Sequence, residues 1–138
     1  MLIKSLIPAE LNSTWQVVAI CESRDKCQVD DFLSSVGSNL EKSAKGMRQL
    51  LAMVAVRGPQ NLPTDLSHTI ADGIWQFTKG RLRVAWFYDG IKVVVCCQAA
   101  TKKSQKAPKQ FIDTAVASMQ EYKLQKARGN IRELPEGE

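Results

Sequence analysis

Residues 74–98 read Ile-Trp-Gln-Phe-Thr-Lys-Gly-Arg-Leu-Arg-Val-Ala-Trp-Phe-Tyr-Asp-Gly-Ile-Lys-Val-Val-Val-Cys-Cys-Gln, and this stretch decides the fold. Its apolar and aromatic residues recur with a period near 2, the period at which strand side chains change faces. Leu82, Val84, Trp86 and Tyr88 share one face, and Arg81, Arg83, Ala85 and Phe87 share the other. Lys79-Gly80 reads as a hairpin turn. Asp89-Gly90 is a stronger turn signal, because both central positions of such a turn require positive φ. A three-strand antiparallel meander over 74–77, 82–88 and 92–98 is predicted.

Toward the N-terminus, 15–21 (Trp-Gln-Val-Val-Ala-Ile-Cys) is β-branched and reads as a further strand. Asp30 or Asp31 is placed to cap a helix starting near Phe32, which Gly37 and Ser38 interrupt. From about Asn39, Leu40, Ala44, Met47, Leu50, Leu51 and Val54 recur at helical spacing, and Gly58-Pro59 ends that run. Residues 58–72 are predicted as a loop. Toward the C-terminus, 101–107 is a polar connection and Pro108 suits the first turn of a helix. Phe111, Ile112, Ala115, Val116, Met119 and Tyr122 form that helix's apolar stripe. After Arg128 the chain turns polar and is expected to fray. The reading is one α+β domain over 1–128 with a flexible tail over 129–138. Helices are expected on one face of a small, twisted, mainly antiparallel sheet, with the other face partly open.

Composition narrows the function. The chain has 138 residues, 44% of them hydrophobic, which is enough for one core. It has no apolar run of membrane-spanning length, and its first residues are too short an apolar stretch for a secretory signal. A cytoplasmic protein is expected. The four cysteines lack the two-residue spacing of metal or redox pairs and are read as buried small hydrophobes. With a single histidine, His68, a mixed Cys/His metal site or a Ser-His or Cys-His catalytic pair is not expected.

The charge is uneven. Residues 1–69 carry 7 basic and 7 acidic groups, and 70–138 carry 12 and 7, so the whole net +5 lies in the second half. Within 79–109, eight basic residues (Lys79, Arg81, Arg83, Lys92, Lys102, Lys103, Lys106 and Lys109) face one acidic residue, Asp89. Such a cluster attracts polyanions. A buried unpaired arginine in mid-strand is costly, so Arg83 is expected to reach solvent or an anion on the open face beside Arg81. With the loop lysines it would form a basic concave surface suited to a phosphodiester backbone. Tyr88 is a candidate for base stacking, whereas Trp75 and Trp86 are read as core.

His68 to Phe77, Gly80 to Tyr88 and Thr101-Lys-Lys-Ser-Gln-Lys-Ala-Pro108 together resemble the phage-derived, HigB-like branch of the RelE/ParE toxin superfamily. The family's pattern is a D-G-[IL]-[WY]-E-[LF]-R strand, a second strand with R-V and aromatics, and a K-K-T-Q-K-T-P loop opening the last helix. The resemblance covers about 14–123 and is sharp over 68–112. It implies a small α+β toxin fold and a toxin of a type II toxin-antitoxin system. It also implies cleavage of mRNA, in many relatives on the translating ribosome, and no metal or other cofactor. The implied partner is a cognate antitoxin, commonly a helix-turn-helix protein, and no membrane is involved. By resemblance Arg83 stabilises transition-state charge. Lys102 and Lys103 join it as catalytic candidates, one lysine as proton acceptor. Lys106, Arg81, Lys79 and Tyr88 are candidates for RNA and phosphate contacts.

The chain departs from that pattern at two places. Gln76-Phe77-Thr78 stands where the family has E-[LF]-R, and Gln98-Ala99-Ala100 stands where a His or Gly and an aromatic often precede the lysines. His68, a lone histidine in a predicted loop, is read as incidental. Two other readings compete with the endoribonuclease. One is a non-catalytic nucleic-acid-binding module, and the other is a ParE-like inhibitor of a DNA topoisomerase.

Overall fold

The computed structural model describes residues 1–135. The end of the predicted tail, 136–138, lies outside the described residues. The chain runs β1 (Leu2–Ser5), β2 (Gln16–Cys21), α1 (Gln28–Ser34), a 3-10 turn (Ser38–Leu40) and α2 (Glu41–Arg57). It continues with β3 (Ser67–Ala71), β4 (Ile74–Lys79), β5 (Leu82–Tyr88), β6 (Val93–Thr101), α3 (Lys109–Ala127) and β7 (Arg132–Glu133). The strands form one sheet in the order β3-β4-β5-β6-β2-β1-β7. Pairings are antiparallel except β2 with β6 and β1 with β7. This is the expected α+β class with a mainly antiparallel sheet.

Three strands were not foreseen. β3 lies where a loop was predicted and forms one edge of the sheet. β1 pairs antiparallel with β2. β7 ties the segment expected to fray back onto Leu2 and Ile3. Helix α1 starts earlier than predicted, at Gln28 rather than near Phe32, with Cys27 at its cap position. Asp31 still serves the helix start, because its carboxylate accepts the Cys27 N–H at 2.9 Å. Asp30 is instead paired with Lys4 at 2.7 Å and Arg48 at 2.8 Å.

The helices divide between the two faces of the sheet. On the first face, Met47, Leu51 and Val54 of α2 pack with Phe77, Val84, Trp86, Val94 and Cys96. On the second, Phe111, Ala115, Met119 and Tyr122 of α3 pack with Ile74, Ala85, Phe87, Val95 and Cys97. The expectation of helices on one face is corrected on this point. The cause is visible in β5, whose two faces are both apolar at mid-strand, so each needs a cover. A bulge in β6 opposite Ala85 and Trp86 leaves Cys97 without a register partner and shifts the alternation, so that Ala100 rather than Ala99 shares the α3 side with Val95 and Cys97. All four cysteines are free and buried, as the sequence suggested. No described helix is long and apolar enough to cross a membrane.

One anchor holds α3 to the sheet. Tyr122 donates its hydroxyl to Asp89 at 2.5 Å, and Lys126 pairs with the same carboxylate. The turn over 89–92 therefore differs from the expected one, with positive φ at Gly90 and Lys92 while Asp89 faces the helix. Burial opposes ionisation of Asp89, but the bonds from Lys126 and Tyr122 outweigh it and hold the carboxyl below its ordinary pKa. A carboxyl depressed in the folded state stabilises above its unfolded pKa and loses that contribution as pH falls through the folded one. Asp89→Asn should therefore cost about 1–2 kcal/mol at pH 7. The difference should shrink as pH falls through the depressed folded-state pKa, as measured by urea unfolding across the acid range.

Candidate nucleic-acid interface

Arg83 is the centre of the site, and it is not where the sequence suggested. It is 1% exposed. Its strand position points it to the α3 face, where the chain leaving β6 and the start of α3 roof it over. Nη2 donates to the Ser104 carbonyl at 2.7 Å, and Nη1 donates to Gln76 Oε1 at 3.4 Å. The Gln76 amide donates in turn to Thr78 Oγ1 at 2.8 Å. The guanidinium carbon lies 5.7 Å from the centroid of the Phe111 ring. Nε is buried and has no partner among the described residues. Burial lowers the Arg83 pKa, yet a guanidinium stays charged. The result is a buried cation held by neutral groups, with its Nε left without a partner among the described residues. The cost anticipated from the sequence is met by dipoles instead of solvent.

Thr78 and Ala100, the two positions that depart from the resembled pattern, are the cross-strand neighbours of Arg83 in β4 and β6. Both are small. An arginine at 78 would set two cations side by side on one face. Thr78 instead completes the hydrogen-bond chain from Gln76.

The loop 102–108 forms the roof. Its first N–H, from Lys102, donates to the Arg81 carbonyl at 2.6 Å. Ser104 Oγ donates to the Lys106 carbonyl at 2.9 Å. Ala107 is buried among Ala85, Phe111 and their neighbours and pins the far end. Between these anchors Lys103 and Lys106 are exposed and Lys102 is half-exposed. Arg81 is exposed beside them, its N–H held by Ser43 Oγ at 3.1 Å. Lys109, at the start of α3, is paired with Asp113 at 2.6 Å. The structure thus places Lys102, Lys103 and Lys106 on the loop whose Ser104 carbonyl caps the buried Arg83, with the Arg81 carbonyl bonded to the first N–H of that loop.

Two predicted contacts lie elsewhere. Tyr88 is on the opposite face, packed against Trp15, Trp75 and Trp86, and burial raises its pKa. It lies five positions on from Arg83, an odd offset, so alternation sets the two on opposite faces. Lys79 lies along α2, its aliphatic chain over Gly46. Neither joins the Arg83 group. The partners Gln76, Thr78, Ser104 and Phe111 were not foreseen. Alternation from Arg83 through its cross-strand neighbours would have pointed to Gln76 and Thr78. Nothing in the sequence announces the Ser104 carbonyl.

These features define a small α+β domain whose basic loop is bonded down over an arginine in mid-sheet. A family model described as phage derived protein Gp49-like (DUF891) matches residues 38–120, more than half of the chain and all of this site. The chain belongs to that family. No curated protein matches the chain.

Proposed function

We propose that the protein is the toxin of a type II toxin-antitoxin pair and acts as an endoribonuclease on mRNA, in the manner of the HigB-like toxins its sequence resembles. The observation that carries this reading is the loop bearing Lys102, Lys103 and Lys106, whose sequence resembles the toxin pattern, bonded over the buried Arg83 through the Ser104 carbonyl. The chemistry is attack of a ribose 2′-oxygen on the adjacent phosphorus, which RNA alone permits. The exposed lysines hold the backbone phosphates. The Arg83 guanidinium, once the Ser104 carbonyl gives way to a phosphate oxygen, meets the negative charge that builds on the phosphorane. A buried cation bonded to neutral groups is well suited to this exchange, because a charged acceptor binds it more strongly than a carbonyl does. A cognate antitoxin, the proposed partner, would silence the site by covering or neutralising the basic loop.

The test is induced expression with mapping of mRNA 5′ ends, wild type beside a Lys102→Gln, Lys103→Gln, Lys106→Gln triple variant. Growth arrest with new in-frame cuts, both absent in the variant, is the expected result. Arrest without cuts would refute the nuclease reading.

A second reading has one observation in its favour, the roof over Arg83. If the loop does not move, the protein binds RNA through its lysines and cuts nothing. It would then show salt-dependent RNA binding with no new ends.

A further inference from the structure

We infer that His68 is the group that accepts the 2′-hydroxyl proton, an assignment that rests on the endoribonuclease reading. β3, unseen in the sequence, places it. His68 is the cross-strand partner of Gln76 in the antiparallel β3–β4 pair. Directly opposed residues hold their Cβ atoms about 4.5–5.5 Å apart on one face. His68 therefore stands beside the residue whose carboxamide oxygen accepts from Arg83 Nη1. Ile70, two residues on, packs with the α3-side core, which fixes the face.

Three properties suit His68 to the task. It is the sole histidine of the chain. It is half-buried, and its ring makes no hydrogen bond among the described residues, so both ring nitrogens are available. It also lies on the edge strand, with no further strand beyond it among the described residues. With the loop over Arg83 lifted, a ribose-phosphate seated over the now buried Gln76 would have the guanidinium on one side and the imidazole on the other. The charged groups of the surrounding elements are Arg83 on β5 and Asp72 in the β3–β4 turn. On α3 they are the Lys109–Asp113 pair at the near end and Glu121, Lys123 and Lys126 beyond. On this face β4 adds only the neutral Gln76 and Thr78.

An imidazole nitrogen takes the 2′-hydroxyl proton as the 2′-oxygen bonds to phosphorus. The bond from phosphorus to the 5′-oxygen breaks, and that oxygen takes a proton from water. The products are a 2′,3′-cyclic phosphate and a 5′-hydroxyl end, and the imidazolium returns its proton to solvent.

Single-turnover cleavage of mRNA on programmed ribosomes, followed from pH 5 to 9, tests this. Wild type should lose rate on the acid side, because only an unprotonated imidazole accepts a proton. His68→Gln should lose about 10²–10⁴-fold in rate. Its RNA affinity and melting temperature should hold, and the acid-side fall should vanish. His68→Ala should regain activity with added imidazole. Full activity in His68→Gln, or a loss with neither a changed pH profile nor rescue, would overturn the assignment. Absence of cleavage by the wild type would sink the nuclease reading itself, and the assignment with it.

Discussion

Arg83→Ala is expected to unfold more easily than wild type by about 2–4 kcal/mol, and to be inactive as well. The substitution empties a fully buried volume over Phe111 and strips partners from Gln76 and the Ser104 carbonyl. Activity lost in this variant therefore says little by itself. Arg83→Met is the informative companion. It fills most of the same space and removes a buried charge that faces only neutral groups. Replacing buried charge with a well-packed apolar side chain is often neutral or stabilising. Arg83→Met should keep its stability within about 1 kcal/mol of wild type while cleavage and growth arrest disappear. Urea unfolding of the three proteins, run beside the expression assay, reads both effects. If methionine costs as much stability as alanine, the guanidinium is there to hold the roof and its catalytic role falls.

That a costly cation is kept in mid-sheet bears on what the sequence could reveal. The span of β5 was legible to the residue, because strict alternation between two turn signals leaves one solution. Helices α2 and α3 were legible from their apolar stripes and from Gly58 and Pro108. Their placement on opposite faces was not read, although the hint was present. Ala85 and Phe87 share a face with Arg83, and a face so apolar needs covering. The arginine drew the reading toward solvent, and α3 won instead. β3 escaped because it is a five-residue edge strand with a bulge between Thr69 and Ala71, which blurs its period of 2. β1 is too short to announce itself and is held by long-range pairing. The site followed the same rule. Its exposed lysines were visible as charge. His68 and Gln76 were not visible as a pair, since only β3–β4 register joins them.

The largest binding effect should come from the loop. Changing Lys102, Lys103 and Lys106 to glutamine should weaken single-stranded RNA binding about a hundredfold near 0.1 M salt. It should also reduce the slope of log K against log salt by about 2, since each lost phosphate contact on a single strand removes roughly 0.7. Stability should stay within about 0.5 kcal/mol, because the loop is fixed by backbone groups and by Ala107. Neither fixture uses a lysine side chain. The control is Lys42→Gln, Lys45→Gln and Arg57→Gln on α2, which removes the same three charges from the far face. If binding responds to net charge alone, the two triple variants will weaken alike and the loop has no special standing. If phosphates sit over Arg83, only the loop variant will lose the slope, because counterions are released only where phosphate and cation meet. Fluorescence anisotropy across a salt series separates the two outcomes without requiring any cleavage, so it decides where RNA lies even if Thr78 and Ala100 have left the protein a binder only.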